Sequence, residues 1–321
     1  MYFYVFLQPE VFEEAASDGE DATQTVAAIV SGFCQNCFLV VFEDDRWDWT
    51  VKEKMEHWPE NMTRRRVTSM LVHLKKQKRI LYCVTPDYLG LKPELDLVFE
   101  QAILASMDLI MVIASEGNRS APAGVEIATR RSYYETVFEL KRSELAVYGK
   151  TCNSDEMDET SFMDFHFGKA LKHASTINIC DRVCGRSGFA DNFRYTISRF
   201  LAWLGTVLSN PSSCRIIFHL GQPEGLGLKN IMHELGSLKK GALGRTSFEV
   251  RFYGEPHSQP ALPHQRFIAT DQIALDVDRG LDFLDRRTRR CRDSYVNYQD
   301  PKIAHGLLST CSSGCMSTHV L

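Results

Sequence analysis

The chain has 321 residues, 44% of them hydrophobic and 24% charged, enough for one large core or two ordinary ones. A net charge of −4 excludes a polyelectrolyte that engages nucleic acid over its whole surface, so any phosphate binding must come from local basic patches. No apolar run approaches the ~18 residues of a membrane span. The opening stretch Met1–Leu7 has no basic flank or small-residue cleavage site, so a cytoplasmic protein without a transmembrane segment is expected.

That opening stretch reads as a first strand, followed by an acidic loop around Glu13 to Asp21 and a helix from Ala22 to Phe33. Cys37–Phe42 is a continuous apolar run of strand length. Arg64–Lys78 has helical spacing, with Val67, Met70, Leu71 and Leu74 on one side and the bases on the other. A second buried-type strand, Ile80–Val84, is followed by a helix at Leu95–Ala105 and a third strand at Leu109–Ala114. Apolar strands alternating with helices predict an α/β fold, with a small parallel-sheet domain over 1–116. Asp44, Asp45, Asp87 and Glu116 each follow the carboxyl end of an apolar strand, where open α/β sheets bind ligands. Four acids converging there could hold Mg²⁺ or Mn²⁺ for phosphodiester hydrolysis; the alternative is ordinary solvated loop acids.

Residues 117–160 read as a connecting helix and linker, 161–300 as a second α/β domain and 301–321 as a flexible tail. The second domain shows strands at Thr176–Cys180, Cys214–Leu220, Ser247–Phe252, His264–Ile268 and Ile273–Val277. Its helices are Asn192–Leu208, strongly amphipathic, and Leu228–Lys239. Among the ten cysteines, Cys34 and Cys37 form one C-x-x-C, half of a zinc site with no second half at finger-like spacing. Reduced thiols in the core are the expectation.

The segment His264-Gln265-Arg266-Phe267-Ile268-Ala269-Thr270-Asp271 has the form H-x-R-x-x-x-x-D, and Arg279-Gly280-Leu281-Asp282 follows it. On a strand, His264 and Arg266 would share a face and could touch one phosphate. Arg266 suits bidentate phosphate binding, His264 and Asp271 are the candidate catalytic pair, and Arg279 with Gly280 would complete the phosphate cradle. His219 is a weaker second histidine. Basic runs at Arg64–Arg66, Lys75–Arg79 and Arg286–Arg290 could contact phosphate backbones or simply solvate their faces.

From about Phe165 to Tyr295 the chain resembles the phospholipase D-like domain found at the C-terminus of MIT-domain proteins. The resemblance is carried by Phe167-Gly168-Lys169-Ala170-Leu171, Ile177-Asn178-Ile179, Asp181-Arg182, the Phe193–Leu204 helix, Ile216–Leu220, the H-x-R and above all Arg279–Phe283. It implies a phospholipase D-type fold binding either phosphodiesters of nucleic acid or anionic phospholipid. In the catalytic members of that superfamily two histidine motifs meet; one is visible here, so catalysis would need a homodimer. The N-terminal part carries strands and does not resemble the three-helix MIT module. Two readings follow: a phosphodiester-directed effector acting on DNA or RNA, with the layout of a bacterial toxin or antiviral defence protein, and a non-catalytic phospholipid-binding or scaffolding module.

Overall fold

A computed structural model describes residues 2–42, 47–83, 94–223, 226–244, 246–254 and 262–321. The chain is α/β, as the alternation of strands and helices implied, and divides into units of residues 2–147 and 148–321.

In the first unit, β1 (Phe3–Leu7), β2 (Cys37–Val41), β3 (Ile80–Tyr82), β4 (Leu109–Val112) and β5 (Glu126–Thr129) form a wholly parallel sheet. Its order is β3-β2-β1-β4-β5. Every residue of β1, β2 and β4 is buried, as expected of strands covered on both faces. The crossovers carry α1 (Glu10–Asp18), α2 (Glu20–Asn36), α3 (Trp47–Lys54), α4 (Met62–Lys76) and α5 (Glu94–Gln101), and α6 (Val137–Tyr148) follows β5.

Two expectations fail here. The supposed acidic loop is the helix α1, which buries Val11, Phe12 and Ala15 beneath its charged face. Residues 126–129, assigned to a connecting helix, are an edge strand, so the first unit runs on past 116.

Arg79 ties this unit together. Its side chain is fully buried and donates to the carbonyls of Phe33, Cys34 and Cys37, the last of these accepting from Nε at 2.9 Å. The end of α2 thus has its orphan carbonyls satisfied by one guanidinium.

The second unit holds an eight-stranded mixed sheet of order β15-β9-β8-β7-β10-β11-β14-β6. The strands are β6 (Lys150–Cys152), β7 (Thr176–Asp181), β8 (Arg215–Gly221), β9 (Ser247–Tyr253), β10 (Phe267–Thr270), β11 (Ala274–Val277), β14 (Ser294–Gln299) and β15 (Cys315–Val320). β7, β8 and β9 run parallel, and the other pairings are antiparallel. A separate hairpin pairs β12 (Leu284–Asp285) with β13 (Arg290–Cys291).

Helices α7 (Glu159–Met163), α8 (Lys169–Leu171), α9 (Arg182–Arg186), α10 (Asp191–Val207), α11 (Gly227–Leu238) and α12 (Pro301–Cys311) complete the unit. The tail is therefore ordered rather than loose. Ala304 and Cys311 of α12 enter a cluster with Tyr253, Phe267 and Ala269, and β15 adds a sheet edge against β9. No helix among the described residues is long and apolar enough to cross a membrane.

Candidate functional site

The carboxyl end of β7 gathers most of the motif residues. Asp181, its last residue, is fully buried and accepts from the backbone N–H of Cys184 at 2.9 Å, capping α9. Its other oxygen accepts from the N–H of Leu281 at 2.7 Å. Burial pushes the Asp181 carboxyl upward in pKa, against the pull of those N–H donors and of Arg266.

Gly280 sits here with φ +57°, and a Cβ on it would lie 2.2 Å from the Asp181 carboxylate and 2.6 Å from Cδ of Arg266. The glycine of the R-G-L-D run is thus required by close approach to Asp181 and by its left-handed backbone. Asp282 accepts from Asn192 Nδ2 and from Arg292 at 2.7 Å, and Arg279 Nε donates to the Asp293 carbonyl.

His264 and Arg266 precede β10 rather than lying on a strand. His264 is exposed, and its Nε2 lies 3.2 Å from Nη1 of Arg182, so the ring presents a lone pair to a guanidinium. Arg266 donates to the Asp278 carbonyl at 2.8 Å. Both therefore stand at one edge of the sheet beside Asp181 and Arg182.

Asp271 does not join them. It follows β10 at the opposite end of the strand, where its carboxylate accepts from Ser175 N at 3.0 Å and Ser175 Oγ at 2.6 Å. The expected His264–Asp271 pair is not assembled within one chain. His219 is a packed core histidine: Nε2 donates to Asn178 Oδ1 at 3.0 Å and Nδ1 accepts from the Tyr253 hydroxyl at 2.9 Å. Burial lowers its pKa to about 3, so it is neutral.

Next to the site, the β12–β13 hairpin projects Arg286, Arg287 and Arg289, all exposed. Asn192, at the start of α10, holds the hairpin by accepting from the Arg286 N–H at 3.1 Å and donating to the Leu284 carbonyl at 2.6 Å. α10 returns antiparallel to β7, which puts its start and the hairpin at the same end of the sheet as Asp181. Asp285 is held well ionised by the N–H groups of Thr288 and Arg287.

Of the acids expected to hold a metal, Asp44, Asp45 and Asp87 lie outside the described residues. Glu116 lies at the carboxyl edge of the first sheet and lines a cavity of about 360 Å³ with Gln8, Glu10, Asp96 and Arg119. The cavity sits where the strand order reverses between β1 and β4. Arg119 contacts Glu116 at 2.9 Å and Asp96 at 2.7 Å, so the Glu116 carboxylate is paired with a guanidinium. Among the described residues no group of three or more His, Cys, Asp or Glu side chains could hold a metal ion.

Two features escaped the sequence reading. Asp181-Arg182 entered only as part of the resemblance, although an acid ending an apolar strand ahead of a helix is a capping signal. The second is a buried pair, Cys152 and His166, with Sγ 2.9 Å from Nε2; no local spacing joins these two residues. All ten cysteines are free thiols, and burial raises Cys37 to about 12 and Cys34 to about 11.

No protein-family model matches the chain, and no curated protein is a significant match, so the phospholipase D-like resemblance rests on its own residues.

Proposed function

We propose that the second unit binds the phosphodiester backbone of nucleic acid through the arginine-rich carboxyl end of its sheet, as a phospholipase D-like module whose single chain supplies no nucleophile. The observation that carries this is the anchoring of segment 278–293, with six arginines, to Asp181 at one end and Asn192 at the other. Arg286, Arg287 and Arg289 are exposed on this hairpin, at the same end of the sheet as the partly exposed Arg266 and Arg279. Guanidinium forks match phosphate oxygens bidentately.

Binding rather than hydrolysis is favoured because His264 already faces Arg182 and Asp271 is committed to Ser175. Nucleic acid is favoured over a lipid surface because the apolar residues of the segment, Leu281, Phe283, Leu284 and Cys291, are all buried and offer nothing to insert.

Anisotropy of labelled DNA and RNA oligonucleotides, titrated across a range of salt, tests the reading. The logarithm of the association constant should fall linearly with log salt, with a slope of about −0.7 to −0.9 per phosphate contacted. The triple variant Arg286→Glu, Arg287→Glu, Arg289→Glu should flatten that slope by about two or three contacts. Tighter binding to phosphatidylserine vesicles than to any oligonucleotide would reassign the patch to membranes. Cleavage lost in His264→Ala would overturn the non-catalytic part.

A further inference from the structure

Helix α6 is apolar on two sides, and only one of them is buried. The inner side buries Phe138 and Leu145 and is pinned to α2. Arg142, whose Nε donates to Glu139 at 2.6 Å, also donates to the Gly32 carbonyl at 3.0 Å, and Asn36 donates to the Arg142 carbonyl at 3.1 Å. The outer side carries Val137 at 68% exposure, Leu140 at 62% and Val147 at 64%. Lys141 and Glu144, both exposed, stand between them.

Positions 137, 140, 144 and 147 follow a 3-4-3 spacing, the seam along which two helices pair. A helix that is apolar all round is normally buried. Two valines, poor helix formers, gain nothing on a solvated face. The buried bonds of Arg142 hold this face in one orientation, so little ordering is left to offset when a partner docks.

We infer that α6 pairs with α6 of a second copy of this chain, antiparallel about a two-fold axis beside Arg142. The charges set the direction. A parallel pair would place Lys141 beside the partner's Lys141 and Glu144 beside the partner's Glu144. The antiparallel pair brings Val137 against the partner's Val147. It lays the aliphatic stem of the partner's Glu144 on Leu140 and brings that carboxylate to Lys141. The axis repeats each contact, so the surface is self-complementary, as a closed dimer requires. With 12 residues, α6 is about 18 Å long, which puts the interface at the small end of specific ones. The dimer therefore forms at roughly tens of micromolar.

Sedimentation equilibrium of the full chain across the micromolar range tests this. A monomer–dimer equilibrium is expected, weakened at least tenfold by Leu140→Glu with the circular dichroism spectrum unchanged. Lys141→Glu alone and Glu144→Lys alone should each weaken the dimer at least fivefold, since like charges then meet across the axis. An equimolar mixture of these two variants should recover dimerisation, because every like-charge contact becomes an opposite-charge one. The double variant should recover it too, which a parallel pair would not. A monomer at every concentration, a dimer indifferent to Leu140→Glu, or single variants that stay monomeric when mixed would overturn the inference.

Discussion

The two sheets solve different problems with polar groups. In the first unit β1, β2 and β4 are apolar on both faces, and the buried charges among the described residues, Arg79 and the Arg142–Glu139 pair, lie off those strands. In the second unit one sheet face carries a polar row. Asn178, His219 and Tyr253 are linked across β7, β8 and β9, and Glu249 beside them is held by both Arg215 and Arg251. A sheet with dry faces gets its specificity from chain order and helix ends. A sheet with a buried polar row gets it from hydrogen bonds that only one register satisfies, because a one-residue slip would turn His219 to the apolar face.

The sharpest way to break this contrast is at the second unit's densest contact. Gly280→Ala places a Cβ against the Asp181 carboxylate in a left-handed backbone. It should cost about 3 kcal/mol or more, combining backbone strain with overpacking. Hydrogen exchange resolved by peptide should show loss of protection in residues 176–186 and 278–293 and none in the first sheet. Normal protection in both segments would mean that Asp181 does not organise this end.

The matching change in the first unit is Arg79→Met, which removes the guanidinium donors from the Cys34 and Cys37 carbonyls at the end of α2, while Phe33 keeps the Cys37 N–H. A loss of about 3 kcal/mol is expected, read as a lower urea midpoint for the first unit. An unchanged midpoint would mean that water satisfies those carbonyls.

Acid should separate the units more gently. His166 and His219, both in the second unit, are pushed down to about 3 by burial, whereas an unfolded histidine titrates near ~6.5. Below that value the unfolded chain binds protons that the folded one refuses. Stability held above about pH 6.5 is therefore lost as pH falls toward 3, at ~1.4 kcal/mol per pH unit for each histidine. His219→Gln should remove one share of that slope, and an unchanged slope would locate the acid sensitivity elsewhere.

What the residues disclosed in advance follows the same division. The dry sheet was legible because runs such as Phe38–Val41 can only be buried strands, and α2 and α4 followed from their 3.6-residue spacing. The outer strands were not: β5 at an edge and β14 next to one mix polar and apolar residues, and the edge strand β15 alternates half-buried with exposed positions in a segment of small residues. At the candidate site, the sequence grouped His264, Arg266, Arg279 and Gly280 around one phosphate but put His264 and Arg266 on a strand that they precede. It could not show that Asp271 lies at the other end of β10, because β10 is four residues long and a linear motif does not say where a strand begins. Nor could it reveal that Gly280 is set by Asp181, a hundred residues earlier in the chain.

One topological fact has a mechanical side. The outermost strands of the eight-stranded sheet, β6 and β15, are the first and last strands along this unit's stretch of chain. Tension applied through residues 148 and 321 would therefore peel the margins, each held by a single ladder, before reaching the parallel trio at the centre. Force spectroscopy along that direction should register two small early ruptures and then one large one. Stripping the β15 margin bares β9, whose open ladder then invites edge-to-edge pairing with another copy.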